Sequence, residues 1–594
     1  MNVAHLSDFF HGDPSKIRYK QVGNLLKEVP ATVHQIHKVD FLQLKLEMKA
    51  IFNERVTSQT KFDRFMKERL STCDIQIICN FMRHAGKKTG NVPVTKKHLM
   101  SIARRLEDQA TSNRWDYSNV AFILYGLQSF EESNVAYQRI LAVMTRIMKV
   151  MNSIDDFTPT SQNISMILSG LQKNPAEEKV TKELLPIISD MINKCRDNFN
   201  SQSVSTCLHS LNNMSSFNPE VRTLLTALTA QIKKCPNSLD SRSVSNAMYG
   251  MRGMSSSHPE VRTLLLALLP FVKGMKETLN QQGIGNSLYG MQCMSTDHHE
   301  VNLMLGTLAI KIQNSNSALD SQAFGTALYG LRHMNSSFPE VRDVLTALTE
   351  KLLNYKITLN AQGVGNSLYG MQSMSSEEKE VRTLLAALAP KIVGCRFSLT
   401  AQEISNAFYG LQGMSNSHVE VENILNALLP KIENSNGDFI SRSLQCSLFG
   451  LSDMDTETET MNNILLAIAS KVQSNSSVYK IQDLLSTLYR MEGMNSDCTG
   501  VRALLAAITV KLKKCDTLAD KSRIFNTIKG LRRMNRSHVE VQDLFAILTT
   551  LLQEKRVFNS PSHSTLQSSS STLSPSSSIP SSSTYSSVLE SNNL

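Results

Sequence analysis

A forty-residue repeat fills this chain from about Thr160 to Leu551 and constrains the fold more than any other feature. The hexapeptide Asn-Ser-Leu-Tyr-Gly-Met occurs at Asn286–Met291 and returns unchanged at Asn366–Met371. Self-similarity at a period of this size predicts a stack of equal units, each covering the apolar surface of its neighbour. The glycine of the hexapeptide recurs at Gly170, Gly250, Gly290, Gly330, Gly370, Gly410, Gly450 and Gly530, and Ser210 and Arg490 fill the gaps.

The first half of each unit has the pattern of a helix that begins at a capping residue. Asp240 recurs as Asn200, Asn280, Asp320, Asn360 and Thr400, which are residues that favour the N-cap position. Leu239 before the cap and Val244 four places after it are apolar, as in a hydrophobic staple. Helical spacing then predicts one buried stripe, formed by Val244, Ala247, Met248 and Met251.

The second half of each unit predicts another helix. Ser257 and Glu260 have the S-x-x-E spacing of a capping box, and Pro259 suits the first helical turn. The same spacing recurs at Ser337–Glu340, Ser417–Glu420 and Ser537–Glu540. The apolar stripe of this helix is Val261, Leu264, Leu265, Leu268 and Val272.

These patterns predict an all-α fold, an α-solenoid (superhelix) of about twelve stacked two-helix repeats of about 40 residues. Residues 1–73 are predicted to form a basic helical N-terminal cap, and residues 74–159 two degenerate repeats. Ten repeats follow over residues 160–556. Residues 557–594 are rich in Ser and Pro and almost uncharged, which predicts a disordered tail.

The net charge of +10 is concentrated at the N-terminal end. Residues 1–115 contain 20 Lys and Arg against 11 Asp and Glu, and after Arg556 the only charged residue is Glu590. The repeats are therefore nearly neutral, and strong non-specific attraction to phosphate is not expected from them. No apolar run reaches the roughly 18 residues of a membrane span, so no membrane partner is predicted.

The chemistry-bearing residues do not form a recognisable catalytic or metal-binding pattern. The ten cysteines lack the paired close spacings of a metal site and indicate a reduced, intracellular protein. No phosphate-binding loop, zinc-protease motif or nucleophile elbow occurs in a suitable context. We therefore predict no catalytic residues, no metal, no cofactor and no small-molecule substrate, and a non-enzymatic protein.

Three positions of the first helix lie opposite its apolar stripe and predict a binding face. The outer amide row comprises Gln202, Arg242, Gln282, Gln322, Gln362, Gln402 and Arg442. The inner amide row comprises Thr206, Asn246, Asn286, Thr326, Asn366 and Asn406. The ring row comprises Tyr249, Tyr289, Tyr329, Tyr369, Tyr409 and Phe449. Together they are the first-helix face, which is the candidate RNA- or peptide-binding site.

Three partners or roles fit this face. Single-stranded RNA suits it because bases stack on rings and present their edges to amides. An extended peptide suits it as well, held by the Asn and Gln side chains as in armadillo or HEAT arrays. A third reading is an RNA-processing factor whose basic N-terminal cap contacts phosphates. Against all three, the amides are equally explained as a hydrogen-bonded ladder between repeats, with tyrosines packed on the next helix.

The repeat resembles a known type. The run Asn366–Gln372, a short turn, a Pro-Glu-Val start as at Pro339–Val341, and a following Leu-x-x-Leu are similar to octotricopeptide repeats. Similar units occur in proteins that carry the RAP domain. The resemblance implies a paired-helix solenoid that binds specific organellar transcripts and governs their stability, processing or translation. It also implies a chloroplast or mitochondrial location, with the cytoplasm as the alternative.

The leading prediction is a non-enzymatic helical-repeat protein that binds single-stranded RNA along the first-helix face. Its role would be post-transcriptional gene expression of the organellar type. The alternative is an armadillo- or HEAT-like scaffold that binds an extended peptide.

Overall fold

The computed structural model describes residues 75–86, 96–111, 115–130, 135–154, 158–174, 178–236, 238–515 and 520–554. Within these ranges the regular structure consists of 24 α-helices and a 3-10 turn at Leu531–Arg533, with no strand. The predicted basic cap at residues 1–73 and the predicted tail at 557–594 lie outside the described residues.

The helices alternate between first and second helices of successive units. The first helices are α1 (Ile75–Gly86), α3 (Tyr117–Leu127), α5 (Ser161–Leu171), α7 (Ser201–His209), α9 (Ser241–Gly250), α11 (Gln281–Tyr289), α13 (Ser321–Tyr329), α15 (Ala361–Tyr369), α17 (Ala401–Tyr409), α19 (Ser441–Leu451), α21 (Ile481–Arg490) and α23 (Lys521–Gly530). The second helices are α2 (Lys96–Asp108), α4 (Val135–Asn152), α6 (Lys179–Lys194), α8 (Pro219–Ile232), α10 (Pro259–Gly274), α12 (His299–Gln313), α14 (Pro339–Asn354), α16 (Lys379–Val393), α18 (Val419–Glu433), α20 (Glu459–Ser474), α22 (Thr499–Leu512) and α24 (Val539–Glu554).

The helices form two layers. Each first helix packs mainly on the first helices of the units before and after it, and each second helix packs mainly on second helices. A single apolar core runs between the layers from Ile75 to Leu548. The predicted all-α architecture of stacked two-helix repeats is therefore confirmed, because neither helix of a unit covers its apolar stripe without its neighbours.

The first helices α5 to α17 begin with the predicted capping chemistry, whereas α19 and α21 follow Ile440 and Lys480, whose side chains make no capping bond. The side chain of Asp240 accepts the backbone N–H of Ser243 at 2.7 Å, and Asn280 accepts that of Gly283 at the same distance. Leu239 and Val244 of the staple are buried. The predicted stripe of Val244, Ala247, Met248 and Met251 is buried as well. Local sequence alone thus determines where this helix begins and which side faces the core.

The capping boxes predicted for the second helices are wrong. Helix α10 begins at Pro259, and its N-cap residue His258 makes no capping bond through its side chain. Ser257 instead hydrogen-bonds to the Ser255 hydroxyl at 2.9 Å and to His258 Nδ1 at 2.9 Å. Because the helix starts one residue later than predicted, Glu260 lies at its second position and faces Arg222 of the preceding unit, 3.9 Å away.

A ladder of hydrogen bonds joins the turns between first and second helices. The Ser256 hydroxyl accepts the backbone N–H of Ser295 at 2.9 Å, and the Ser336 hydroxyl accepts that of Ser375 at 2.9 Å. The ladder continues to Ser496, whose hydroxyl accepts the Asn535 N–H at 2.8 Å. We call this series the turn ladder. It satisfies backbone donors that packing would otherwise leave unpaired.

Lysines near the ends of the second helices bind the preceding unit. Lys311 Nζ donates to the Met275 carbonyl at 2.8 Å, and Lys431 Nζ donates to the Cys395 carbonyl at 2.5 Å. A cation at the carbonyl end of a helix is favourable because it offsets the helix dipole. These lysines are therefore structural links between units. Lys351 and Lys511 donate to the preceding unit in the same way, to the carbonyls of Ser315 and Asn475, and burial lowers the pKa of both lysines.

Candidate nucleic-acid interface

The recurring glycine brings neighbouring first helices into backbone contact. A Cβ placed on Gly290 would lie 1.9 Å from the carbonyl oxygen of Met248, and one on Gly370 would lie 2.1 Å from that of Leu328. No side chain fits in such a gap, so only glycine permits this approach. The recurring glycine therefore allows the first helices of the central units to approach closely. Gly530 differs, because its nearest neighbour is a side-chain atom, Tyr489 Cδ2, at 3.4 Å.

The close approach makes the ring row a continuous stack. Successive ring centroids lie 5.2–5.8 Å apart, and their planes meet at 18–33°. His209 extends the stack at one end, 5.5 Å from the ring of Tyr249. Burial lowers the pKa of His209, so its ring is neutral at pH 7. Arg490, in the place of the glycine, covers the other end, with its guanidinium carbon 4.4 Å from the centroid of Phe449.

This stack leaves no room for a base between two rings. Inserting one base would require two stacking distances, about 7 Å in total, whereas the ring centroids are at most 5.8 Å apart. The interior rings are half-buried and Tyr369 is buried, so their edges rather than their faces meet the surface. The tyrosines therefore pack on one another, and the predicted stacking of bases on ring faces does not apply inside the array.

Arginines lie against the rings at the ends of the first helices. The guanidinium of Arg332 is 4.6 Å from the ring centroid of Tyr329, is 1% exposed, and donates to Gln292 Oε1 at 2.8 Å. Burial, together with the charge of Arg332, lowers the pKa of His333 to about 4. The buried cation, the half-buried ring and the neutral, half-buried imidazole thus form one structural cluster.

The amide ladder between repeats exists, but at a different position from the two amide rows. Gln292 Nε2 donates to the carbonyl of Arg252 at 3.0 Å, and Gln412 Nε2 donates to that of Gln372 at 2.7 Å. These residues lie just beyond the ends of the first helices. The hydrogen-bonded ladder of amides between repeats therefore occurs in this third series and not on the first-helix face.

The outer and inner amide rows keep their polar groups at the surface. Gln202, Arg242, Gln282, Gln322, Gln362 and Gln402 are exposed, and Arg442 is half-buried. Thr206, Asn246, Asn286, Thr326 and Asn366 are half-buried, and Asn406 is 8% exposed. Within the described part of the chain, the side-chain amides of Gln282, Gln322, Gln362, Asn286 and Asn366 make no hydrogen bond. They are available to a ligand.

The charge of the first-helix face changes along the array. Residues 281–298 and 361–378, each a first helix with its turn, contain no Lys or Arg. The equivalent residues 521–538 contain six, and no Asp or Glu. The predicted site residues end at Phe449 and leave out this last first helix, although the loss of the ring at Lys529 was a visible signal.

The described ranges offer neither a membrane-spanning helix nor a metal site. None of the helices there is both long and apolar enough to cross a membrane. Those same ranges hold no group of three or more His, Cys, Asp and Glu side chains placed to hold a metal ion.

Comparisons with solved structures give similarity to chains that are covered over most of their length. Yeast Rmd9p in complex with a 16-nucleotide target RNA is 10% identical over 82% of this chain and 95% of its own, with a TM-score of 0.29. The pentatricopeptide repeat protein PPR10 in complex with an 18-nucleotide psaJ RNA element is 12% identical over 86% and 89%, with a TM-score of 0.22. APUM23 with GGAUUUGACGG is 12% identical over 92% and 100%, with a TM-score of 0.18.

At these identities and TM-scores the similarity does not extend to superimposable geometry. No family model matches the chain, and no curated protein matches it. The first-helix face is therefore interpreted from its own residues.

Proposed function

We propose that this protein binds single-stranded RNA along the first-helix face, with about one nucleotide for each repeat. The observation that carries the proposal is the set of unused amides. Gln282, Gln322 and Gln362 recur at equivalent exposed positions and make no hydrogen bond within the described chain. A side-chain amide offers both donors and an acceptor, which is the chemistry that reads base edges.

The spacing of the units favours RNA over a peptide. The ring row advances 5.2–5.8 Å for each unit, which exceeds the rise of about 3.4 Å in a stacked strand. An RNA in register with the units is therefore unstacked, so each base can turn its edge toward one amide pair. An extended peptide repeats its side chains every two residues, about 6.6 Å, and would lose register within about three units.

The ring row takes a structural role in this proposal. Because the rings stack continuously from Tyr249 to Phe449, they fix the distance between neighbouring amide pairs. Fixed spacing matters for a reader of sequence because each amide must meet its own base. The rings thus support recognition by holding the two amide rows in place, and their half-buried edges form the floor beneath the bases.

We further propose that the protein acts in post-transcriptional gene expression through the transcripts that it binds. The near-neutral central face supports reading of bases rather than general attraction to phosphate. An organellar location rests on the resemblance of the repeat to octotricopeptide units. No catalytic role is proposed for the first-helix face, where amides and stacked rings dominate.

The test uses the full chain and a random pool of single-stranded RNA, with crosslinking and sequencing of the retained fraction. We expect an enriched motif, and the double variant Gln282→Ala with Gln322→Ala should relax the preference at two neighbouring positions. Loss of two amide contacts should weaken binding on the order of tenfold. The matched control removes two exposed amides from second helices, Gln313→Ala with Gln473→Ala, and should bind as the wild type does.

Two outcomes would contradict the proposal. If the wild-type chain retains no RNA even at low salt, the face does not bind RNA and the extended-peptide scaffold becomes the better explanation. If RNA is retained but the Gln282 and Gln322 variant selects the same motif as the wild type, these amides do not read bases.

A further inference from the structure

The last first helix, α23, differs chemically from all central first helices. It and the turn after it carry six cations: Lys521, Arg523, Lys529, Arg532, Arg533 and Arg536. No acidic residue falls in residues 521–538, whereas the equivalent central segments 281–298 and 361–378 lack cations altogether. A solenoid needs a polar terminal unit for solubility. Solubility alone does not require six cations without a single acidic residue.

Four of these cations are exposed and uncommitted. Arg523, Lys529, Arg532 and Arg533 are exposed, and among the described residues none of their side chains forms a hydrogen bond or an ion pair. This contrasts with Arg222 and Arg262, which face glutamates of the next unit, and with Lys311, which binds a backbone carbonyl. Free guanidinium and ammonium groups on one helix are the usual contacts of a phosphate backbone.

The same cations continue the first-helix face. Ser522, Asn526 and Lys529 are spaced so that they project from one side of the helix, Arg533 follows in the 3-10 turn, and all four are exposed. Ser522 and Asn526 occupy the outer and inner amide positions, and Lys529 occupies the ring position. A strand that follows the central units would therefore meet positive charge as it reaches α23.

Aromatic rings are also available at this end of the array. Phe525 is 62% exposed, and Tyr489 in the preceding helix is 46% exposed. Unlike the central rings, Tyr489 is not stacked on Phe449, because Arg490 lies over that ring instead. Exposed rings beside cations are the combination that holds single-stranded nucleic acid without sequence preference.

We propose that α23 with residues 531–536 is a phosphate-anchoring subsite for single-stranded RNA at the C-terminal end of the described array. Lys529, Arg532 and Arg533 neutralise phosphates there, and Phe525 stacks on one base. This inference rests on the proposed function and adds a division of labour: the central units read bases, and the last unit supplies most of the electrostatic affinity that the neutral centre lacks.

The test measures binding of the full chain to a labelled random 20-nucleotide RNA pool between 0.05 and 0.5 M salt, on the order of a tenfold range. Neutralising three phosphate contacts should reduce the slope of log affinity against log salt by about 2. We expect this for the triple variant Lys529→Gln, Arg532→Gln, Arg533→Gln, with binding weakened roughly tenfold or more at 0.1 M salt.

A matched control removes the same charge elsewhere. Lys233 and Lys234 directly follow α8 and Lys273 lies in α10; all three are exposed, and their replacement by Gln should leave the salt slope within error of the wild type. For the ring, Phe525→Ala should weaken binding between about fivefold and about a hundredfold. Phe397, which is also 62% exposed but lies outside the face, is its control.

The outcomes separate the two proposals. If the wild type binds RNA but the Lys529 triple variant and the lysine control have equal slopes, the anchoring subsite is overturned and RNA binding stands. If Phe525→Ala and Phe397→Ala bind equally well, the stacking part is overturned. If the wild type does not bind the pool at the lowest salt, the proposed function itself fails. Unchanged circular dichroism of each variant is expected, because all the substituted side chains are exposed.

Discussion

The central units and the last unit use the same forty-residue frame in opposite ways. In the centre, Gly290 and Gly370 place first helices in backbone contact, and the rings between them stack in an unbroken series. In the last unit the three atoms nearest to a Cβ on Gly530 belong to side chains, at 3.4–3.7 Å, and the ring position is occupied by an exposed lysine, Lys529. The centre is closed and neutral; the last unit is open and basic.

The boundary between the two regions lies at one residue. Arg490 stands where the central units have glycine, and its guanidinium covers Phe449 instead of allowing the next ring to stack. A single small residue in each unit therefore decides whether the ring series continues. This residue also determines how exposed the rings are, because rings that no longer stack become exposed, as Tyr489 is.

The glycine contrast should have the largest effect. Gly290→Ala would place a methyl group 1.9 Å from a backbone carbonyl, and we expect a cost of about 3 kcal/mol or more. Gly530→Ala meets only ordinary contact at 3.4 Å and should stabilise the helix by up to about 1 kcal/mol. Urea denaturation of both variants measures the difference. Equal midpoints for the two variants would show that backbone contact does not distinguish the regions.

The ring contrast should be the next in size. Tyr329→Leu removes stacking on both sides, with Tyr289 and Tyr369, and should cost up to about 3 kcal/mol, since each aromatic pair contributes about 0.5–1.5 kcal/mol. Tyr489→Leu removes no ring pair from the series and should cost less than about 0.5 kcal/mol. A Tyr489 variant as destabilised as the Tyr329 variant would argue that the series does not end at Phe449.

The third prediction concerns pH. His333 is half-buried in the centre beside Arg332, whereas the equivalent residue of the last unit is the exposed cation Arg533. The pKa of His333 falls from 6.5 to about 4, so the folded state holds fewer protons than the unfolded state between these values. Stability is therefore complete above pH 6.5 and declines as the pH drops toward 4.

Between pH 7 and pH 5 this group should cost about 2 kcal/mol of the free energy of unfolding. His333→Gln should abolish that part of the decline, as urea denaturation at the two pH values would reveal. Arg533→Gln is the control and should leave the pH dependence unchanged. A His333 variant with the wild-type pH dependence would place the decline on another group.

The smallest effect should be shared by both regions. Ser336→Ala and Ser496→Ala each remove an acceptor of the turn ladder, at 2.9 and 2.8 Å from a backbone N–H. Each should cost about 1 kcal/mol, and the two costs should agree because the contact is the same. Ser337→Ala, at an exposed neighbour, should be neutral. A much larger cost for one serine would show that the turns also differ between the regions.

Much of the fold was predictable because its signals are local. The N-cap at Asp240, the staple around it and the apolar stripe of the first helix are all read within one unit. The start of the second helix was predicted one residue too early, because the S-x-x-E spacing around Ser257 occurs without the bond that defines a capping box. The turn ladder could not be predicted, because its partners lie about one repeat apart.

In the candidate site, too, the local features were predictable and the contacts between units were not. Helical periodicity placed Gln282, Asn286 and Tyr289 on one face of their helix, and the structure keeps them there. It could not predict that the tyrosines stack on one another, since this depends on the distance between helices of different units. Nor could it separate the unused amides of this face from the bonded amides of Gln292 and Gln412.

By itself the sequence determined the repeat, the two helices of each unit and the face that each turns from the core, because capping and periodicity act within about ten residues. Only the tertiary structure decided which polar groups remain free, that the rings stack on one another, and where that stack ends. Those outcomes depend on how closely neighbouring units approach, and that distance is set by backbone contact between glycines such as Gly290 and the preceding helix.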